Sequence, residues 1–203
     1  METLDTVKKQ IVDLLTSTKR PGIDNVIKYL EETDYFIAPA STNYHGNYDC
    51  GLAIHSFQVY KLLKKKNEIF DLGLSQESII ITALLHDICK VNFYKKQPRW
   101  KKDEKGKWQS YDGYICEDDF PVGHGEKSVI RLLQFIKLTR EEILMIRWHM
   151  GGFEPKENLN SISNAYNQVK GAVALHTADL ESSYIFEMHI DPLEPNKQLS
   201  LKI

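Results

Sequence analysis

Seven residues, Ile79-Ile80-Ile81-Thr82-Ala83-Leu84-Leu85, run without a charge straight into His86-Asp87, with Lys90 three residues further on. A helix that is apolar on every side has to be buried, so the rest of the chain must wrap it. Ser75 supplies its N-cap. The covering elements are legible from apolar spacing. Val7, Ile11 and Leu14-Leu15 predict a helix over 6–15, which Pro21-Gly22 ends. Val26, Ile27 and Leu30 predict a short helix over 23–30. Leu52, Ser56, Val59 and Leu63, widened by Phe57 and Leu62, predict one over 50–66. Helix resumes over 125–136, and Thr139-Arg140-Glu141-Glu142 has the form of a capping box opening a helix to Met150. Residues 161–187 read as one helix with Val169, Val173, Leu175 and Leu180 inward.

Two segments break the helical period. Residues 38–49 are rich in Pro, Ser, Asn, Tyr and Gly and belong at a surface or cleft. Between 93 and 121 aromatics and charges alternate, and Glu104-Lys105-Gly106 forms a turn between arms at 99–103 and 107–111. This predicts a β-hairpin inserted in a helical protein. The tail after Asp191 has two prolines and little pattern. The expected fold is therefore all-α with a small hairpin insertion. With 203 residues and 42% hydrophobic side chains, a single domain over 1–203 is expected, with N-terminal helices over 1–37 and a core over about 50–187.

The net charge of −2 gives no global argument for a nucleic-acid or membrane partner. No run of about 18 apolar residues is present. The start, METLDTVKKQ, lacks the basic-then-apolar layout of a signal peptide, and three cysteines without a CxxC pair fit a reduced, cytoplasmic protein.

Six side chains with metal-ligand chemistry interrupt otherwise apolar or capped elements: His55, His86, Asp87, His124, His149 and Asp179. Each alone has an ordinary explanation. A histidine near a helix end caps it, a helical aspartate faces water, and one His-Asp pair arises by chance in a chain with seven histidines. Together they are harder to dismiss. Polar groups at 55, 86–87 and 179 stand where burial without partners is costly, and a shared metal would satisfy them all. Imidazole and carboxylate suit Mn, Fe, Zn or Mg rather than soft copper.

The order His, His-Asp, distal Asp, carried by AIHSF, ALLHDICK and HTADLE, resembles the HD-domain metal-dependent phosphohydrolase superfamily over roughly 50–187. HDICK resembles the family's His-Asp-x-x-Lys form, with Cys89 where Gly is common, a position not taken for a ligand. VGHGEKS and IRWHMGG resemble the subgroup with two further histidines and two metals. The His spacing is similar to that of bacterial HD-type dinucleotide polyphosphate hydrolases. ASTNYHGNYDCGLAIHS resembles the segment leading into the HD domain of certain bacterial 3′–5′ exoribonucleases, whose oligonucleotide-binding domain is not expected here.

The resemblance implies an HD-domain helical bundle. It implies that His55, His86, Asp87 and Asp179 hold a first divalent metal, and that Asp87 bridges to a second held by His124 and His149. It also implies that Lys90 meets a phosphate oxygen. Two such cations would supply hydroxide near neutral pH for attack on phosphorus. Lys90 and Asp87 are thus the expected catalytic residues, with one or two metals per chain. Lys127 and Arg147 flank expected ligands and are placed for phosphate contact, and His45, in the irregular loop, for solvent or substrate. His176 lies one turn before Asp179 and reads as structural, as support for a ligand or as a substitute ligand; His189 reads as structural or exposed. Lys95, Lys96, Arg99, Lys101, Lys102, Lys105 and Lys107, with Trp100 and Trp108 interleaved, form either a solvated hairpin or an arm that attracts phosphates and stacks a base. The expected activity is metal-dependent hydrolysis of a phosphate ester or anhydride, most simply of a nucleotide or dinucleotide. The alternatives are an exonuclease-like phosphodiesterase on short single-stranded nucleic acid, and a metal- or nucleotide-binding sensor without turnover.

Overall fold

A computed structural model describes residues 4–187 together with Asp191 and Leu193. His189 and most of the tail lie outside the described residues. Two N-terminal helices come first, α1 (Leu4–Ser17) and α2 (Ile23–Glu32). Between them Gly22 adopts φ +91°, and a Cβ there would lie 2.0 Å from the Phe135 carbonyl oxygen, so only glycine allows this close turn. The chain then forms α3 (Gly51–Phe70) and α4 (Gln76–Leu85), with Ser75 accepting the Ser78 amide at 3.0 Å as N-cap. From Ser78 to Leu85 every residue of α4 is buried, as an all-round apolar helix requires. α1, α3 and α6 (Arg140–Arg147) pack against it, and α8 (Lys170–Glu181) packs on α3 and α6, so α4 is enclosed by its neighbours. One continuous cluster of buried side chains extends from Val7 to Ala178, so the N-terminal helices share the core of the later ones.

The hairpin is present and longer than expected. Strands β1 (Tyr94–Lys102) and β2 (Trp108–Cys116) pair antiparallel, Tyr94 facing Cys116 and Lys102 facing Trp108. Gly106 turns the chain at φ +75°. The strands run past the expected arms because their base is anchored. The Tyr94 hydroxyl donates to the Ala40 carbonyl at 3.2 Å, the Tyr114 hydroxyl to Asp49, and Lys96 pairs with Asp49 at 2.8 Å. Trp100 and Trp108 stay exposed near the tip.

The remaining helices are α5 (His124–Leu133), α6 (Arg140–Arg147), α7 (Leu159–Gln168) and α8, followed by a π-helical turn at Ser182–Phe186. The capping box forms as expected: Thr139 Oγ1 accepts the Glu142 amide at 3.1 Å and Glu142 Oε2 accepts the Thr139 amide at 2.8 Å. Val173 and Leu180, expected inward, are 38% and 36% exposed, and two further expectations fail. The helix expected to reach Met150 ends at Arg147, and the single helix expected over 161–187 is two helices and a π turn. Val169, at φ −133° and ψ 97°, breaks the latter while keeping its side chain buried. Two residues on, a Cβ at Gly171 would lie 2.8 Å from the Met145 sulfur and 2.9 Å from Leu74. Close packing of α8 on these side chains, rather than any helix-breaking residue, sets the new direction. Among the described residues no helix is long and apolar enough to cross a membrane.

Candidate metal centre

Two helix ends deliver the central imidazoles. A terminating α-helix leaves its last carbonyls without amide partners. At the end of α4, His86 Nδ1 bonds the Ala83 carbonyl at 2.8 Å; after α6, His149 Nδ1 bonds the Ile146 carbonyl at 2.6 Å. A carbonyl can only accept, so both rings carry their proton on Nδ1 and present a bare Nε2. His55, on α3, sets its Nδ1 2.6 Å from a Glu187 carboxylate oxygen and turns its Nε2 toward Asp87 and Asp179. All three rings are fully buried, and among the described residues Nε2 of each has no hydrogen-bond partner.

Those three nitrogens converge on Asp87. Asp87 Oδ2 lies 3.7 Å from His55 Nε2 and 3.6 Å from His86 Nε2, and Oδ1 lies 3.5 Å from His149 Nε2. Asp179 approaches from α8, with Oδ1 3.2 Å from His55 Nε2. His124, at the start of α5, puts Nε2 2.6 Å from Asp87 Oδ1, and the Lys90 ammonium lies 2.7 Å from Asp87 Oδ2. Five side chains scattered from 55 to 149 in sequence therefore meet at one carboxylate that is 2% exposed, with Asp179 joining them through His55.

The charges are mutually arranged. Burial opposes ionisation of Asp87, but Lys90 and the surrounding imidazoles outweigh it and hold its carboxyl well below the usual range. Burial likewise works against the ammonium of Lys90, and Asp87 overrides it and pushes the pKa up. His55 is raised to about 10 because Glu187 and Asp179 overcome its burial, and His124 to about 10 through Cys89 and Asp87. His86, dominated by burial, falls to about 4. The centre thus holds cationic protons between carboxylates and leaves neutral imidazole nitrogens unsatisfied, a donor set that fits a divalent cation. Ligand atoms of His55, His86 and Asp179 lie within 4.8 Å of one another, as do those of His86, Asp87 and His149, and those of Asp87, Cys89 and His124.

The centre floors a cavity of about 410 Å³. Asp87, Lys90, His124 and Asp179 line its polar end; Tyr44, Met150, Phe153, Leu180 and Tyr184 form an apolar wall. His45 also lines it, with its ring centroid 5.1 Å from that of His55, and burial lowers its pKa to about 4. His176 donates from Nδ1 to the His149 carbonyl at 2.6 Å and so supports the backbone that carries His149. Lys127 and Arg147 do not line this cavity. Lys127 is buried, paired with Asp118 over the Phe93 ring. Arg147 is bound to Glu126 and Glu154 and stacks on Trp148 at 3.7 Å. Neither guanidinium nor ammonium is turned to the cavity, because each already has an acidic partner on the adjoining loops.

The family model of the HD domain matches residues 52–183. The chain belongs to the HD-domain family. Its match spans α3 to the π turn and takes in all six converging side chains. This HD domain is 32% identical over 151 residues to the dihydroneopterin 2′,3′-cyclic phosphate phosphodiesterase of Methanocaldococcus jannaschii, covering 62% of this chain and 56% of the relative. The chain therefore spans little more than half of that curated relative. No solved structure matches it.

Two residues at the centre escaped the sequence reading. Glu187 lies 132 residues from His55 and reaches it only because the π turn redirects the chain after α8. No spacing rule links them. Cys89, set aside as no ligand, has its sulfur 3.4 Å from both ring nitrogens of His124.

Proposed function

We propose that this HD domain is a divalent-metal-dependent phosphohydrolase acting on a nucleotide-like phosphodiester or related phosphate ester. The observation that carries the reading is the convergence on Asp87, at the floor of a cavity, of three buried Nε2 atoms without a hydrogen-bond partner among the described residues. His55, His86, Asp87 and Asp179 would hold one transition-metal ion, and His124 and His149 with Asp87 a second. Such cations supply Lewis acidity and an ionised water at neutral pH. Lys90 lines the cavity and would bind a phosphate oxygen there. Tyr44, Phe153 and Tyr184 are 73%, 61% and 72% exposed at the apolar wall and offer ring faces to a planar heterocycle. The activity named for the Methanocaldococcus jannaschii relative, on a cyclic phosphate joined to a pterin, has the same two chemical parts.

The test is elemental analysis of purified protein alongside hydrolysis of 2′,3′-cyclic nucleotides, mononucleotides, dinucleotide polyphosphates and short oligonucleotides. Lys90→Met is expected to keep its metal and lose at least about tenfold in kcat/KM, about 1.4 kcal/mol of transition-state stabilisation. Wild-type kinetics in that variant would remove Lys90 from the site. Hydrolysis that persists undiminished in chelator would overturn the metal-dependent reading, and metal without turnover of any substrate would favour a sensor. Preference for oligonucleotides would favour the exonuclease-like alternative, to which the exposed Trp100 and Trp108 lend an observation.

Glu187→Ala is expected to weaken metal affinity about 10–100-fold while the helical content is unchanged, since outer partners of ligating histidines have effects of that size. Competition with a chromophoric chelator measures it, and unchanged affinity would make Glu187 a packing residue only.

A further inference from the structure

We infer that Cys89 is a metal ligand, so that the second cation is held by a thiolate together with Asp87 and His124. The inference rests on the reading above that this cluster binds divalent metal. Cys89 is 3% exposed. A buried cysteine most often acts as a small apolar filler, but the surroundings here are polar. Its sulfur, an Asp87 carboxylate oxygen and a His124 ring nitrogen lie within 4.8 Å of one another, and both His124 nitrogens are 3.4 Å from the sulfur.

The arrangement is held by rigid parts. Asp87 and Cys89 stand on a single tight turn, with Ile88–Lys90 forming a 3₁₀ segment directly after α4. α5 is fastened to that turn at three points. The Cys89 amide donates to Ser128 Oγ at 3.2 Å, and Arg131 donates to the carbonyls of Ile88 at 3.1 Å and Val91 at 2.8 Å. Ser128 lies four residues beyond His124, so one face of α5 presents both to the turn. The sulfur and the imidazole are therefore juxtaposed by the packing of two elements, and neither depends on a mobile loop.

An independent observation points to a ligand beside this cluster, on the oxygen it shares. His149 is fully buried, its Nε2 has no partner among the described residues, and it lies 3.5 Å from Asp87 Oδ1, the oxygen that also meets His124. A cation among Asp87, Cys89 and His124 would give that nitrogen a neighbour of the right charge. On binding, the thiol gives its proton to solvent and the sulfur binds as thiolate. A thiolate in the set favours Zn²⁺, Fe²⁺ or Co²⁺ over Mg²⁺, which takes oxygen ligands.

The experiment is Co²⁺ titration of the metal-stripped protein, read by absorption and by elemental analysis. Wild type is expected to show an intense near-ultraviolet sulfur-to-cobalt charge-transfer band. Cys89→Ser and Cys89→Gly are expected to lose it, whereas Cys50→Ser and Cys116→Ser keep it. Cys89→Ser is also expected to bind Zn²⁺ at least about tenfold more weakly, the least that loss of even an outer partner produces, with a smaller change for Mn²⁺. Cobalt bound at the same content without the band, or a band that survives Cys89→Ser, would overturn the thiolate ligand and leave the metal-dependent reading standing. No cobalt bound at all would overturn both.

Discussion

Asp87→Asn is expected to strip the centre of metal and to lower kcat/KM by about three orders of magnitude, roughly 4 kcal/mol of transition-state stabilisation. The reason is geometric. One buried carboxylate is approached within 2.6 to 3.7 Å by four imidazoles and by the Lys90 ammonium. Asparagine keeps its shape but removes the charge that makes Nε2 of His55, His86 and His149 part of one binding set. Lys90 is left as a buried cation without its counter-charge, which adds to the loss. Elemental analysis and steady-state kinetics on the same preparation measure the effect, with circular dichroism confirming the fold. A variant that retained full metal content and wild-type turnover would show that Asp87 is not the hub of the site.

Glu142→Ala is expected to cost about 3–5 kcal/mol of folding stability, the usual result of breaking a buried ion pair from one side. Glu142 is fully buried, and its carboxylate does three jobs. It closes the α6 capping box, accepts the Ser78 hydroxyl at 2.9 Å, and takes a two-pronged contact from Arg20 at 2.8 and 3.0 Å. Arg20 also bonds Glu77 and, at 2.7 Å, the Lys137 carbonyl. The segment between α1 and α2 is thereby tied to α4 and α6, and alanine would leave a guanidinium that is 12% exposed without its main partner. Denaturant unfolding of the two proteins gives the difference.

The pH dependence has a definite sign. Burial works against the charge of Glu142, but Arg20, the Thr139 amide and Ser78 outweigh it and hold the folded-state pKa below the ordinary 4.5. The unfolded chain therefore binds the proton first as pH falls. Stability from this group is fully present above about 4.5 and is lost as pH drops through the lower folded-state value. Wild type should lose stability in that acid window, and Glu142→Ala should lose correspondingly less. A loss below 0.5 kcal/mol at neutral pH would contradict the role assigned to this pair.

The helical identity of most of the chain follows from local rules. The apolar spacing of Val7, Ile11 and Leu15, the Ser75 cap and the Thr139 capping box depend on neighbours within one turn, and each is realised. The hairpin was likewise legible from its turn and alternating residues, although its length is set by anchors at Ala40 and Asp49 that lie outside it. The break at Val169 carried no local signal, because α8 is turned by the close approach of Gly171 to Met145 and Leu74.

The centre divides the same way. The family motif, the six residues of metal-ligand chemistry and the general class of reaction were readable in the chain, because ligand chemistry belongs to side-chain types and their order. Which nitrogen each histidine presents was not. That follows from where helices end, since the carbonyls of Ala83 and Ile146 claim Nδ1 of His86 and His149 and leave Nε2 for the cavity. Glu187 reaches His55 through a π turn, Lys127 and Arg147 are claimed by acids beside them, and Cys89 meets His124 because Ser128 and Arg131 fasten α5 to the turn. Side-chain types and their order dictate which chemistry the chain can assemble. Which groups converge is set by packing, since a contact between residues 55 and 187 depends on distant elements that no local pattern encodes.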